Sequence, residues 1–142
     1  MSFNQELLRH RAAEIRENAA LLEKAALGGV DDFLADRDKQ DATMFRLIVA
    51  IEACQAICAH LAARLATAAP SSMSDCFERL AAAGVYSEDL AQRLAQMARF
   101  RNLLVHRYWV VDLGMVHDFL ATGLSDFSEY LEAVAKVVGE DL

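Results

Sequence analysis

A single proline and six glycines in 142 residues leave long windows with nothing to break a helix. Cysteine is scarce too. Three residues (Cys54, Cys58 and Cys76) and no signal-peptide pattern argue against a disulfide-stapled secreted fold and predict reduced thiols in a cytoplasmic protein. Positive charge is outnumbered, with 14 Lys and Arg against 21 Asp and Glu and a formal net charge of -7. That balance excludes a protein that coats nucleic acid through a basic surface, because such affinity comes from neutralising many phosphates. No window offers the roughly 20 strongly apolar residues, uninterrupted by charge, that a membrane span needs. A soluble chain with no membrane contact is expected.

Hydrophobic residues make up 55% of the chain, many of them alanine, a composition that favours helix. The length suits one domain over residues 1–142, able to remove roughly 70% of the unfolded surface from water without a metal or disulfide staple. Residues 3–27 carry Leu7, Leu8, Ile15, Leu21, Leu22 and Leu27 in an apolar stripe that Gly28-Gly29 stops. Val30 to Asp38 reads as an acidic loop whose Phe33 and Leu34 tuck inward and whose acids cap the next helix. Residues 39–68 form a helix apolar nearly all round, the expected central element, with a small-residue face suited to a neighbouring helix or a second subunit. Glu52 and Gln55 interrupt it, either as a polar pair facing a site or as partners for a nearby Arg or backbone group. His60, near its end, reads as a surface or hydrogen-bonded histidine.

Pro70-Ser71-Ser72 marks a turn, and Ser72 with Asp75 begins a short helix that ends at Gly84. Ser87, followed by Glu88 and Asp89, begins another that runs through Leu104. Asp112 caps a last helix to Val138, with Gly123 near its middle as a candidate break. The expected architecture is all-α: a four-helix core with one additional short helix.

Chemistry concentrates in Arg101-Asn102-Leu103-Leu104-Val105-His106-Arg107-Tyr108. RNA can be cleaved without metal when its 2'-hydroxyl attacks the adjacent phosphorus. An imidazole such as His106 exchanges protons near neutrality, and a guanidinium such as Arg101 matches phosphate oxygens in a fork. On an ideal helix, however, five residues put Arg101 and His106 about 140° apart. The helix must unwind near Val105, or two copies of the stretch must share a cleft. Asn102, four residues before His106, shares its face and could orient the ring; Tyr108 lies beside it only if the chain has left the helix. An arginine-rich helix end finished by a histidine also has a purely structural reading, favoured by the helix dipole. Trp109 and Phe100 read as core anchors. Cys54 and Cys58 share a helix face and read as core thiols, with a metal site through Glu52, Cys54 and Cys58 as a remote alternative. His10 and His117 join no constellation.

The stretch resembles the signature of the HEPN ribonuclease superfamily, an Arg followed a few residues later by His, with a polar residue directly after the Arg. Within it, Arg101, His106 and Tyr108 look like the HepT toxin pattern. The likeness extends to Ala50-Ile51-Glu52-Ala53-Cys54, to Leu-Ala-Ala-Ala-Gly-Val from Leu80 to Val85, and to Met97–Phe100, covering about residues 40 to 130. It implies a homodimeric, HEPN-type antiparallel four-helix fold and the toxin of a type VII-like toxin–antitoxin pair. The activity implied is metal-independent endoribonuclease cleavage of tRNA or mRNA, with no cofactor. His106 and Arg101 would catalyse, Asn102 would support them, and Arg99 and Arg107 would add phosphate contacts. The implied partner is a minimal nucleotidyltransferase antitoxin that uses ATP and magnesium to adenylylate Tyr108. The alternative is a catalytically silent helical module that binds a nucleotide or recruits a nucleotidyltransferase.

Overall fold

A computed structural model describes residues 2–65 and 68–142, so Ala66 and Thr67, at the end of the long stretch expected as helix, lie outside the described residues. Among the described residues seven α-helices follow in order: α1 (Gln5–Leu27), α2 (Val30–Ala35), α3 (Arg37–Arg64), α4 (Met73–Ala82), α5 (Glu88–His106), α6 (Leu113–Thr122) and α7 (Ser125–Val138). Among the described residues there is no strand. The sequence marks most of the starts. Side chains of Asn4, Asp36, Ser72, Ser87 and Asp112 each accept a backbone N–H from the first turn that follows, satisfying donors a helix leaves open.

α3 is the spine, as its apolar circumference requires. At 28 residues it runs about 42 Å, and it packs against α1, α2, α4 and α5. Asn4 at the start of α1 donates its backbone N–H to Nε2 of His60 near the end of α3 at 3.0 Å, so the two helices run antiparallel. α5 lies against α3, α4 and α7, while α6 and α7 close onto α1. Phe33, Phe77, Phe127 and Tyr130 are fully or almost fully buried in one continuous cluster. Tyr130 donates its hydroxyl to the Cys54 carbonyl at 2.8 Å, joining α7 to the middle of α3.

Several expectations need correction. The acidic stretch after Gly29 is not wholly a loop: Val30–Ala35 form a short helix, held by burial of Phe33 and by Gln40 Nε2 donating to the carbonyls of Phe33 and Leu34. Leu34, expected to tuck inward, is 48% exposed. The last helix is two, divided at Gly123-Leu124, where a Cβ on Gly123 would sit 2.6 Å from the Phe119 ring. Leu27 is 87% and Leu21 40% exposed, so neither joins the buried stripe of α1, although Ala25 and Ala26 beside Leu27 still pack on the core. Finally, α3 is long and apolar enough by length and composition to cross a membrane, contrary to the expectation that no window is. Its apolar window holds almost no charge besides Glu52, and much of it is buried against the neighbouring helices.

Candidate active site at the end of α5

Ser87 starts α5 by accepting the Leu90 N–H at 3.1 Å. The buried stripe of Leu90, Leu94, Met97, Ala98 and Leu104 then fixes the helix's rotation. That rotation turns Asn102, Val105 and His106 outward and Arg101 toward α3. The helix stays regular through Val105 and ends at His106, closed by the Arg107 N–H on the Leu103 carbonyl at 2.9 Å. Arg107 then leaves helical geometry (φ -141°, ψ 41°), and Tyr108–Val110 form one 3-10 turn. The break therefore falls after His106 rather than near Val105. With α5 intact, the ideal separation of about 140° between Arg101 and His106 stands.

Arg101 is held firmly. Its Nε and Nη2 both donate to Oε1 of Glu52, at 3.1 and 2.5 Å, and its Nη1 donates to Oδ1 of Asn102 at 3.0 Å. Of the two readings left open for Glu52, the structure selects a partner for an arginine, and that arginine is the one in the motif. Asn102, placed by spacing to orient His106, binds Arg101 instead. His106 is exposed at the helix end. Arg99 and Arg107 are exposed, and among the described residues neither forms an ion pair, so their charge is free to act on solvent.

Tyr108 differs from the other two tyrosines. Tyr86 donates its hydroxyl to the Phe77 carbonyl at 2.8 Å, and Tyr130 is buried on Cys54. Tyr108 is 64% exposed, edge-on to Trp109 with ring centroids 5.4 Å apart. A reactive or modified phenol has to reach solvent, and among the described residues Tyr108 is the exposed one, Tyr86 being half-buried with its hydroxyl engaged and Tyr130 fully buried. Trp109, expected in the core, is itself 67% exposed; with Val110, Met115 and Phe45 it belongs to the protein's apolar surface. The only warning in the sequence was that Trp109 follows the end of a helix, where periodicity stops indicating which side is inside. Phe100, by contrast, packs on the core and stacks on Phe119 at 6.0 Å.

The cysteines are structural. Burial holds the thiols of Cys54 and Cys58 well above the ordinary range, so both stay protonated, and Cys58 Sγ lies 2.8 Å from Cys76 Sγ. Glu52 faces Arg101 instead of the thiols, and among the described residues no three His, Cys, Asp or Glu gather as metal ligands. A cleft of about 460 Å³ opens on the other flank of α5, lined by Met97, Phe100, Met115 and Phe119. None of Arg101, His106 and Tyr108 lines it.

A family model described as "Ribonuclease HepT-like" matches residues 15–134. The mRNA nuclease HepT of Shewanella oneidensis is 28% identical over 107 residues, covering 75% of this chain and 80% of that protein. Among solved structures, a tri-AMPylated Shewanella oneidensis HEPN toxin in complex with MNT antitoxin superposes with a TM-score of 0.83 and 25% identity, over 96% of this chain and 99% of that one. YutE of Bacillus subtilis, a cytosolic protein of unknown function, shares the fold at a TM-score of 0.85 and 14% identity, over 97% and 93% of the two chains.

Proposed function

The chain belongs to the HepT-like ribonuclease family, and from that premise we propose that it is the toxin of a toxin–antitoxin pair, an endoribonuclease that cuts mRNA or tRNA in the cytoplasm. The supporting observation is the constellation at the end of α5: a tethered guanidinium, a solvent-facing imidazole and the one exposed phenol within eight residues. The Shewanella oneidensis relative is an mRNA nuclease by name.

In the proposed reaction the 2'-oxygen attacks the adjacent phosphorus and the 5'-oxygen leaves, giving a cyclic phosphate end. His106 moves a proton at the attacking or leaving oxygen, and Arg101 donates to the phosphoryl oxygens as their charge grows. Asn102 steadies Arg101, while Arg99 and Arg107 draw the RNA backbone in. No metal or cofactor enters this scheme. Because Arg101 and His106 diverge on one helix, the productive pair comes from two protomers, Arg101 of one and His106 of the other, across the cleft of a homodimer.

Silencing acts at Tyr108. A minimal nucleotidyltransferase antitoxin, using ATP and magnesium, joins the phenol oxygen to the α-phosphorus with loss of pyrophosphate and of the phenolic proton. The new phosphodiester brings bulk and negative charge to the cleft and competes with RNA for the arginines. Tyr108→Phe should cleave RNA yet escape silencing by the co-expressed antitoxin, with no added AMP in its intact mass. The decisive measurement is RNA cleavage by His106→Ala and Arg101→Ala, each checked for an unchanged helical spectrum. Both should lose cleavage and growth arrest, and the wild type should keep cutting in EDTA. Full toxicity of either variant would overturn the assignment; dependence on added metal would overturn the mechanism.

A further inference from the structure

The contact between Glu52 and Arg101 ties residues 49 apart in sequence, and its geometry is more selective than an ordinary surface pair. Arginine has five N–H donors in a planar fork. Nε and Nη2 both meet one oxygen of Glu52, so the carboxylate covers the side edge of the plane. Asn102 takes one donor of Nη1. One N–H then remains on each terminal nitrogen. A free arginine would sample many rotamers; this one is clamped from α3 and from its own helix at once, with 23% of its side chain exposed.

The clamp has a second effect, of opposite sign. The carboxylate offsets the guanidinium's charge, so a phosphate approaching the remaining donors meets a compensated cation. Arg99 and Arg107 have no such partner and keep their full attraction among the described residues. Glu52 thus separates two tasks that bare arginines combine. On the proposed reading the exposed Arg99 and Arg107 would gather RNA, while the clamped Arg101 is aimed.

We infer that Glu52 is a positioning residue of the ribonuclease site, holding the side edge of Arg101 so that its terminal N–H groups receive the scissile phosphate while damping ground-state attraction for RNA. This rests on the reading of Arg101 as the phosphate-stabilising group. An interaction that aids the transition state more than the bound substrate appears in kcat, and one that repels substrate appears in KM. The two effects of Glu52 are therefore separable by choice of substitution.

The experiment measures kcat, KM and their salt dependence on a single-stranded RNA for the full-length wild type, Glu52→Gln, Glu52→Ala and Arg101→Ala, with melting curves for each. In Glu52→Gln an amide oxygen still accepts on the side edge but the negative charge is gone. KM should fall about three- to tenfold at low salt, with kcat within about threefold and a steeper salt slope. In Glu52→Ala the guanidinium loses its aim, and kcat should fall by about tenfold or more while KM does not rise. If Glu52→Ala fails to fold, Glu52→Asp takes its place: its oxygen withdraws by about one carbon–carbon bond, and kcat should fall with no gain in RNA affinity. A wild-type kcat in the truncated or shortened variant, or identical constants for the Gln and Ala variants, would overturn the inference. Arg101→Ala separates the levels. Its full activity would overturn the ribonuclease reading itself, whereas its inactivity beside a wild-type-like Glu52→Ala would overturn only the role given to Glu52.

Discussion

Arg101 and His106 lie on one unbroken helix, five residues apart, with side chains that leave its axis in different directions. A composite site makes a prediction about mixtures. Arg101→Ala and His106→Ala should each be inactive alone, yet a heterodimer of the two contains one cleft with an intact Arg101 and an intact His106. Co-expression with random pairing should restore about a quarter of wild-type cleavage, since about half the dimers are mixed and half their clefts are whole. A mixture as inactive as its components would show that both residues must come from one protomer.

The junction between α1 and α3 should weaken in acid. The His60 imidazole accepts the Asn4 N–H and so must be neutral at that nitrogen. Burial, reinforced by the charge of Arg64, holds its pKa below the usual value. The unfolded chain takes up the proton near pH 6.5, the folded one only at lower pH, so this contribution is present above about pH 6.5 and is lost as pH falls toward the folded pKa. The exchange protection of the Asn4 N–H and the first turn of α1, corrected for the intrinsic pH dependence of exchange, should fall between pH 7.5 and 5.5. His60→Gln should remove that pH dependence; an unchanged dependence in the variant would assign it elsewhere.

Arg93 reaches from α5 to α7, pairing with Asp126, Glu129 and, on its own helix, Asp89. Asp126 is buried, and its desolvation keeps the carboxyl above the usual range in spite of Arg93. Arg93→Leu strands that carboxylate and should cost about 2 kcal/mol, less than a fully buried pair because Arg93 is 34% exposed. Adding Asp126→Asn should recover part of the loss in urea unfolding. Additive losses would mean the pair is not coupled.

Tyr130→Phe removes one hydroxyl and keeps the packing. With the ring fully buried and the Cys54 carbonyl as its partner, the change should cost about 1 kcal/mol and leave RNA cleavage intact. A loss of cleavage at unchanged stability would contradict the purely structural role given to this tyrosine.

What could be read in advance follows physical lines. Polar side chains announce helix starts locally, so Ser72, Ser87 and Asp112 mark three of them without tertiary information, and the acids before Asp38 announce a fourth without showing that Asp36 is the one that caps it. The six-residue α2 could not be seen that way, because its stability comes from Phe33 and from Gln40, contacts that exist only once α3 has folded beneath it. Leu27 and Trp109 are exposed without a local sign of it: periodicity says which residues share a face but not which of them a neighbour covers. The motif was legible by residue type and spacing. The grip of Glu52 on Arg101 was visible only as an unresolved choice, since it depends on how α3 and α5 are rotated against each other.

Synthesis order gives that grip a further meaning. α3, with Glu52, emerges from the ribosome well before α5, and neither helix alone contains an aimed arginine. A nascent or truncated chain that stops short of α5 carries no motif, and a fragment that begins after α4 carries the motif without its clamp. Neither product should cleave RNA: an aimed Arg101 exists only once α3 and α5 have folded together in one chain, and a composite site only once two such chains have paired.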